Sequence, residues 1–226
     1  MKTNDNPIVS LIANLAEEFL MRNLIALISV LFIATSVSAS DEKLRVSWFS
    51  KDKIREIIGD FPAPGSVEEA YDFQVLLDYQ ATRTQAECDE AAAEKTPTLK
   101  SMFGDLLTKK EMRRVWPHFI EAYATVGLNS AISKKLFDRP RPFNANPAVV
   151  PCIPLATSKA YPSGHTMIAR VFARMLSGFY PDRENEFMHR ADEVALNRVI
   201  GGVHHPSDIV AGKKLGDAIF EQLLQN

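Results

Sequence analysis

The 226-residue chain lacks several features that would place it in common classes of protein. Its only two cysteines, Cys88 and Cys152, are too few and lack the ligand spacing for a Cys/His metal site. The formal net charge is −2 and no basic face or arm stands out, so we expect no nucleic acid partner. After Ala39 no apolar run approaches about 18 residues, which predicts no membrane span in the mature protein.

Runs of alternating β-branched residues are also scarce, and the patterns that are present have helical spacing. Hydrophobic residues make up 46% of the chain, which is enough to form the core of one domain. Neither an internal repeat nor a linker to a second domain occurs. The sequence therefore predicts an all-α fold, a compact helical bundle that occupies residues 40–226 as a single domain.

Proline, glycine and capping residues predict where the helices begin and end. The pattern Ser66-Val67-Glu68-Glu69 is typical of a capping box and opens a long helix towards Lys95. A second helix passes through Leu106 and Met112, and Pro117 is predicted either to restart or to kink it before it continues to about Phe137. Residues 138–162 hold six prolines and are predicted to form an irregular loop. Further helices are predicted to begin near Ser163, near Arg183 and after Pro206.

The first 39 residues have the pattern of a leader rather than of a folded segment. After Met21 and Arg22 an apolar run covers residues 24–34, and small residues follow it up to Ala39. This order is typical of a secretory signal peptide that is cleaved near Ser40. We expect a signal peptide over residues 21–39, translation from Met21, and a periplasmic or secreted protein. The alternative is an amphipathic helix that packs on the domain.

Two apolar helix faces end in a positive charge. Lys134 continues the face formed by Tyr123, Gly127 and Ala131, and Arg198 continues another that begins at Phe187. Burial of a lone cation is costly unless an anion meets it. Each residue alone fits a cation that reaches solvent at a helix end. Together with Arg141, which follows the first of these helices, they predict a cationic pocket.

The segment Ser163-Gly164-His165 precedes an apolar helical stretch. Ser163 suits the N-cap position, and Gly164 allows the backbone to approach a ligand closely. The free amides of a helix N-terminus attract anions. Taken alone, the segment also fits an ordinary cap followed by an incidental histidine.

A third segment, from His204 to Asp208, begins the last helix. Pro206 suits the first helical position, which puts Asp208 in the first turn. Asp208 either complements the helix dipole or accepts a hydrogen bond from one nitrogen of His204. The second arrangement fixes the tautomer and leaves the other nitrogen of His204 free to attack an electrophile.

The order and spacing of these segments resemble the superfamily of type 2 phosphatidic acid phosphatases and vanadium haloperoxidases. Within it the chain is similar to the bacterial class A nonspecific acid phosphatases. The resemblance spans residues 134–208. It rests on the following residues: Lys134, then Arg141-Pro142 after six residues; Pro162-Ser163-Gly164-His165; Arg198, then His204 after five residues and Asp208 after three more.

The resemblance implies a role for each of these residues in the hydrolysis of a phosphomonoester. His204 is the nucleophile, Asp208 orients it, and His165 protonates the leaving group and then activates water. The residues that bind the phosphate group are Lys134, Arg141, Ser163, Gly164 and Arg198. No metal or other cofactor is expected because the three cations supply the positive charge. The resemblance also implies inhibition by inorganic phosphate or vanadate, and self-association is common among such enzymes.

Other residues are interpreted with the resemblance in mind. Asn197 stands where this family usually has serine, which puts the side-chain contact at that position in doubt. His118 and His189 are predicted to lie on the surface, and His205 at the mouth of the pocket. Arg139 is interpreted as a solvated loop charge near the rim. The two cysteines either pair in an oxidising compartment or stay free, and the sequence leaves both open.

Two other functions remain open at the level of sequence. A vanadium-dependent haloperoxidase shares the same pocket, although such enzymes are usually much longer chains. A non-catalytic phosphate-binding protein needs cations and amides but has no use for a positioned acid and a nucleophile. His165, His204 and Asp208 therefore favour the phosphatase. A membrane lipid phosphatase has the same motifs but needs several apolar spans.

Overall fold

The structure is a computed structural model, and it describes residues 45–225. The predicted leader over residues 21–39 lies outside the described residues. All described elements are helices, no β-strand occurs between residues 45 and 225, and the all-α prediction is confirmed. Within the same range no helix is both long and apolar enough to cross a bilayer.

The first four described helices each begin at a residue whose side chain caps the helix N-terminus. They are α1 (Lys51–Ile58), α2 (Val67–Thr82), α3 (Gln85–Ala93) and α4 (Leu99–Phe103). The predicted cap at the start of α2 is present, since the Ser66 hydroxyl accepts from the Glu69 amide at 3.1 Å.

The single long helix predicted from Ser66 towards Lys95 is wrong. Arg83 leaves the helical conformation, with ψ at 141°, and Thr84 starts α3 with its own capping box. Thr84 and Glu87 satisfy the free amides at this new start, so the chain can turn without losing hydrogen bonds.

The long helix α5 (Lys109–Phe137) begins at a capping box between Thr108 and Glu111. It runs through Pro117 without a break, so the helix does not restart there, and Leu106 lies in the turn before it. The face that ends in Lys134 is only half-buried, and the deeper face is one that includes Val126, Asn129 and Ser133. Asp138 ends α5 in the left-handed conformation, with φ at 51°.

The predicted loop over residues 138–162 is mostly irregular but contains a short helix, α6 (Pro142–Ala145). The remaining helices are α7 (Gly164–Phe179), α8 (Glu184–Ile200), which follows a 3₁₀ turn, and α9 (Pro206–Leu223). Their first residues agree closely with those expected from Ser163, Arg183 and Pro206.

Helix α7 lies at the centre of the packing and contacts α5, α8 and α9. On the α5 side the rings of Phe119 and Phe172 meet edge-on, with centroids 4.9 Å apart. On the α9 side a Cβ atom at Gly212 would lie only 2.8 Å from the carbonyl oxygen of Ser163, so glycine allows close approach. The Ser163 amide donates to the Asp208 carbonyl at 3.0 Å. The starts of α7 and α9 therefore lie side by side.

A disulfide between Cys88 and Cys152 joins α3 to the irregular loop, with the two Cα atoms 5.8 Å apart. The Cys152 amide also donates to the carbonyl of Gly201, just beyond α8, at 3.2 Å. Helix α3 is thereby tied to the segment that connects α8 and α9.

Candidate active site

The centre of the site is a buried pair formed by His204 and Asp208. Nδ1 of His204 lies 3.0 Å from Oδ2 of Asp208, and Nε2 lies 2.8 Å from Nη1 of Arg141. Because a guanidinium group only donates, Nε2 is the acceptor and Nδ1 carries the hydrogen that Asp208 accepts. Burial, and then the positive charge of Arg141, hold the pKa of His204 well below its usual range. His204 is therefore neutral, with its lone pair on Nε2.

Asp208 is fully enclosed and is held by several donors. Its Oδ2 accepts from the His205 amide at 2.9 Å as well as from His204, and its Oδ1 accepts from Arg139 at 2.7 Å. Burial alone would raise the pKa of Asp208, but hydrogen bonds from His204 and His205 hold it well below its usual range. Asp208 is therefore ionised and fixes both the ring and the tautomer of His204.

Arg141 follows α5 and is buried without a carboxylate partner among the described residues. It donates to the carbonyl oxygen of Ser158 at 2.7 Å, to that of Val203 at 2.8 Å, and to His204. Burial lowers the pKa of Arg141 to about 10, so it remains a cation at neutral pH. This positive charge is directed at the nitrogen that carries the lone pair of His204.

Lys134 lies in the last turn of α5 and is also surrounded by neutral acceptors. Its ammonium donates to the carbonyl oxygens of Lys159 and Pro162, the second at 3.1 Å. Burial, and then the charge of Arg141, hold the pKa of Lys134 well below its usual range. Arg141 and Lys134 therefore lie close enough for their positive charges to repel each other.

Arg198 is buried near the end of α8 and contacts the C-terminal end of α3. Its Nη2 donates to the Ala91 carbonyl and, at 2.9 Å, to the Glu94 carboxylate. Its Nε is buried and has no hydrogen-bond partner among the described residues. An unpaired buried donor of this kind is costly, and an anion would satisfy it.

Ser163 and Gly164 form the start of α7. The Ser163 hydroxyl accepts from the Thr166 amide at 3.4 Å, which is the local pattern expected of an N-cap, and from the Thr166 hydroxyl at 2.9 Å. A Cβ atom at Gly164 would lie 3.0 Å from the hydroxyl oxygen of Ser130, so the first turn of α7 lies against α5. The free amides of α7 thus begin close to the helix that carries Lys134.

His165 lies in the first turn of α7, and its ring contacts α3. Its Nε2 lies 3.0 Å from the carbonyl oxygen of Glu94, and because a carbonyl only accepts, Nε2 is the donor. Burial, followed by the charges of Arg198 and Arg141, lowers the pKa of His165 to about 3. Without an anion the ring is neutral, and both arginines lie within electrostatic range of it.

The structure brings the predicted residues together in one region. Arg141 contacts His204 directly, and the charge of Arg141 acts on both Lys134 and His165. Arg198 acts on His165 as well. The starts of α7 and α9 place Ser163 and Gly164 beside Asp208.

Sequence reasoning missed three charged groups around the site. The interpretation of Arg139 as a solvated rim charge is wrong, since it is 2% exposed and pairs with Asp208 and, at 2.9 Å, with Asp72. Asp72 also accepts from the amide and hydroxyl of Ser207. The third charged group that the sequence did not reveal is Glu94. Asp72 and Glu94 lie on or beside helices far along the chain from their partners, so no local pattern reveals them.

The structure also shows where the other residues singled out in the sequence lie. The Asn197 amide donates to Glu94 at 3.3 Å, so it supports a neighbouring side chain. His118 is exposed and the side chain of His189 is 76% exposed, as predicted. His205 was expected at the mouth of the pocket, but it is buried and its Nδ1 lies 3.3 Å from Asp208.

The chain is similar in sequence to proteins of known activity. Residues 117–220 match the model of the PAP2 superfamily. A non-specific acid phosphatase from Salmonella typhimurium is 28% identical over 179 residues, covering 72% of this chain and 70% of that protein. One from Providencia stuartii is 30% identical over 148 residues, covering 62% and 58% respectively.

A solved structure extends the comparison to the fold. It is titled the first transmembrane PAP2 type phosphatidylglycerolphosphate phosphatase from Bacillus subtilis. It superposes with a TM-score of 0.51 at 19% identity, covering 77% of this chain and 90% of that chain. At this identity the likeness concerns the fold alone. The family match over residues 117–220, together with the motif spacing, places this part of the chain in the PAP2 superfamily.

Proposed function

We propose that the chain is a nonspecific acid phosphatase of the bacterial class A kind, which hydrolyses phosphomonoesters through a phosphohistidine on His204. One observation carries the proposal. Lys134 and Arg141 are basic side chains at one site, and their hydrogen bonds among the described residues go only to neutral acceptors. Basic groups that no carboxylate contacts directly favour an anionic ligand, and a phosphate group meets that need beside the His204–Asp208 pair.

In the first step Nε2 of His204 attacks phosphorus in line with the ester oxygen. The phosphate draws the guanidinium of Arg141 to one of its oxygens, which frees the lone pair of His204. A P–N bond forms while the bond between phosphorus and the ester oxygen breaks. Asp208 stabilises the imidazolium that results, and Lys134, Arg141 and Arg198 stabilise the charge on the phosphoryl oxygens.

In the same step His165 donates a proton to the leaving oxygen, and the alcohol departs. His165 then takes a proton from water, whose oxygen attacks phosphorus and breaks the P–N bond. Phosphate leaves and His204 returns to its neutral form. Because Arg198 and Arg141 lower the pKa of His165, the negative charge of a bound phosphate raises it again and favours the protonated acid.

We also propose where the protein works in the cell and which residues form its catalytic domain. Residues 21–39 act as a signal peptide, and residues 40–226 form the phosphatase domain, which works in the periplasm or outside the cell. The three cations occupy the place that metal ions take in many other phosphatases. Catalysis is therefore independent of a divalent metal.

A panel of phosphomonoesters, assayed with a chelator at mildly acidic and neutral pH, tests this function. Wild-type protein releases phosphate from several esters, His204→Ala releases none, and the exposed-site control His189→Ala behaves like the wild type. No hydrolysis by the wild type in any condition contradicts the proposal. Vanadate-loaded protein is assayed for bromide oxidation in parallel, and turnover there in place of hydrolysis identifies a haloperoxidase.

A further inference from the structure

Glu94 is a buried acidic residue in direct contact with Arg198, one of the proposed phosphate ligands. It follows α3 directly and is 1% exposed. Its Oε2 accepts from Nη2 of Arg198 at 2.9 Å and from the amide of Asn197 at 3.3 Å. A carboxylate here opposes the binding of a phosphate anion, so its presence needs a physical reason.

The backbone of the same segment contacts the site as well. The carbonyl of Glu94 accepts from Nε2 of His165 at 3.0 Å, and the carbonyl of Ala91 accepts from Arg198. The chain from Ala91 to Glu94 therefore contacts both His165, the proposed acid, and Arg198, a proposed phosphate ligand. Nη2 of Arg198 is used in these contacts, whereas its buried and unpaired Nε is a donor available for a phosphate oxygen.

We propose that Glu94 is a positioning residue of the phosphate site. Its carboxylate fixes the guanidinium of Arg198, its carbonyl fixes the ring of His165, and its negative charge weakens phosphate binding when the carboxyl group is ionised. This inference rests on the proposed phosphatase function and adds a pH control to it.

The groups that face Glu94 determine how its charge responds to pH. Arg198 and Asn197 contact it from α8, and Arg190 of the same helix lies 3.3 Å from Oε1. Glu90 lies one turn earlier on α3, and His165 faces the carbonyl from α7. Burial raises the pKa of Glu94, and the charge of Arg198 offsets only part of this effect.

The sign of the pH effect follows from these contacts. At acidic pH Glu94 is protonated, still accepts a hydrogen bond from Arg198, and leaves the full charge of that arginine for phosphate. As the pH rises through its pKa, the carboxylate ionises, and the affinity for phosphate falls. Phosphate itself titrates in this range. Its titration affects the variant and the wild type equally, so the ratio of their affinities at each pH does not depend on it.

Glu94→Gln tests the charge, with Glu90→Gln as the control because Glu90 pairs with Arg190 and does not contact Arg198. Binding of inorganic phosphate to the full chain is measured by calorimetry from acidic to weakly alkaline pH. The affinity of Glu94→Gln relative to the wild type rises with pH, by about tenfold across the range. The affinity of Glu90→Gln relative to the wild type does not change with pH. A flat ratio for Glu94→Gln overturns the inference.

Glu94→Ala tests the positioning role, because alanine removes the acceptor as well as the charge. Its kcat for phenyl phosphate is lower than that of Glu94→Gln by about tenfold. Equal kcat values in the two variants contradict the positioning role. Both results differ from failure of the proposed function, in which wild-type protein neither hydrolyses phosphomonoesters nor binds phosphate.

Discussion

At the residue scale, the buried charges next to Asp208 allow a quantitative test. Arg139→Leu leaves the carboxylates of Asp72 and Asp208 buried without their shared cation. We expect the free energy of unfolding to fall by about 3 to 5 kcal/mol, since an uncompensated buried charge is costly. Urea unfolding of the purified protein measures the change.

The control is Lys159→Leu, which breaks an exposed ion pair with Asp138. Exposed pairs contribute little, so we expect a loss of at most about 1 kcal/mol. Equal losses in the two variants would show that Arg139 is not an essential partner of the two carboxylates.

His165 provides a second prediction at this scale. Its pKa is about 3 without an anion, below the ordinary histidine value of 6.5, because burial and the two arginines disfavour the cation. Between these values the unfolded chain binds a proton that the folded protein does not, so stability falls as pH decreases from 6.5 towards 3. Bound phosphate raises the pKa of His165 and reduces this loss.

Histidine NMR across a pH series, with and without inorganic phosphate, measures this change at His165 directly. The resonance of exposed His189 is the internal control, and phosphate leaves it unchanged. An identical titration of His165 in both samples contradicts a phosphate site beside that ring.

At the element scale, the sequence predicts most of what local spacing controls. The starts of α7, α8 and α9 follow from Ser163, Arg183 and Pro206, because caps and prolines act within one turn. The break between α2 and α3 was missed, although Thr84 and Glu87 have the spacing of a capping box, because the residues around Arg83 also have helical spacing.

The unpredicted parts of the site are contacts between distant elements. Arg139 and Asp72 are separated by 67 residues, and Arg198 and Glu94 by 104. No helical period links such positions, and a charged residue beside a proline-rich loop has the composition of the solvent-exposed surface. Family resemblance supplies the residues of the motifs, whereas these supporting pairs depend on how α2 and α3 pack.

The disulfide carries the prediction that belongs to the element scale. Cys88 and Cys152 are 64 residues apart, and a loop of this length stabilises by about 4 kcal/mol in the chain-entropy model. Replacement of both cysteines by serine lowers the urea midpoint accordingly. Full thiol labelling of unreduced, denatured wild-type protein would show that the bond does not form.

At the scale of the whole molecule, the leader over residues 21–39 can be tested without the structure. Expression of the full sequence in a bacterial host yields mature protein that starts near Ser40. Intact-mass measurement of the periplasmic or secreted material reports the cleavage site. Retention of residues 24–34 in that material contradicts the assignment of a signal peptide.

In the proposed mechanism His204 and His165 have separate tasks. His204→Ala lacks the nucleophile and forms no phosphoenzyme with any ester. His165→Ala lacks the acid, so alkyl phosphates react poorly, but a phenol leaves without full protonation. Because His165 also activates the water, the phosphohistidine on His204 persists in that variant.

The most direct measurement is to trap the intermediate from phenyl phosphate labelled on phosphorus. The account predicts protein-bound label in His165→Ala that is stable to alkali and lost in acid, and none in His204→Ala. Peptide mapping of the labelled protein places the phosphate on His204. Label that accumulates in His204→Ala and not in His165→Ala would contradict the account and reverse the two roles.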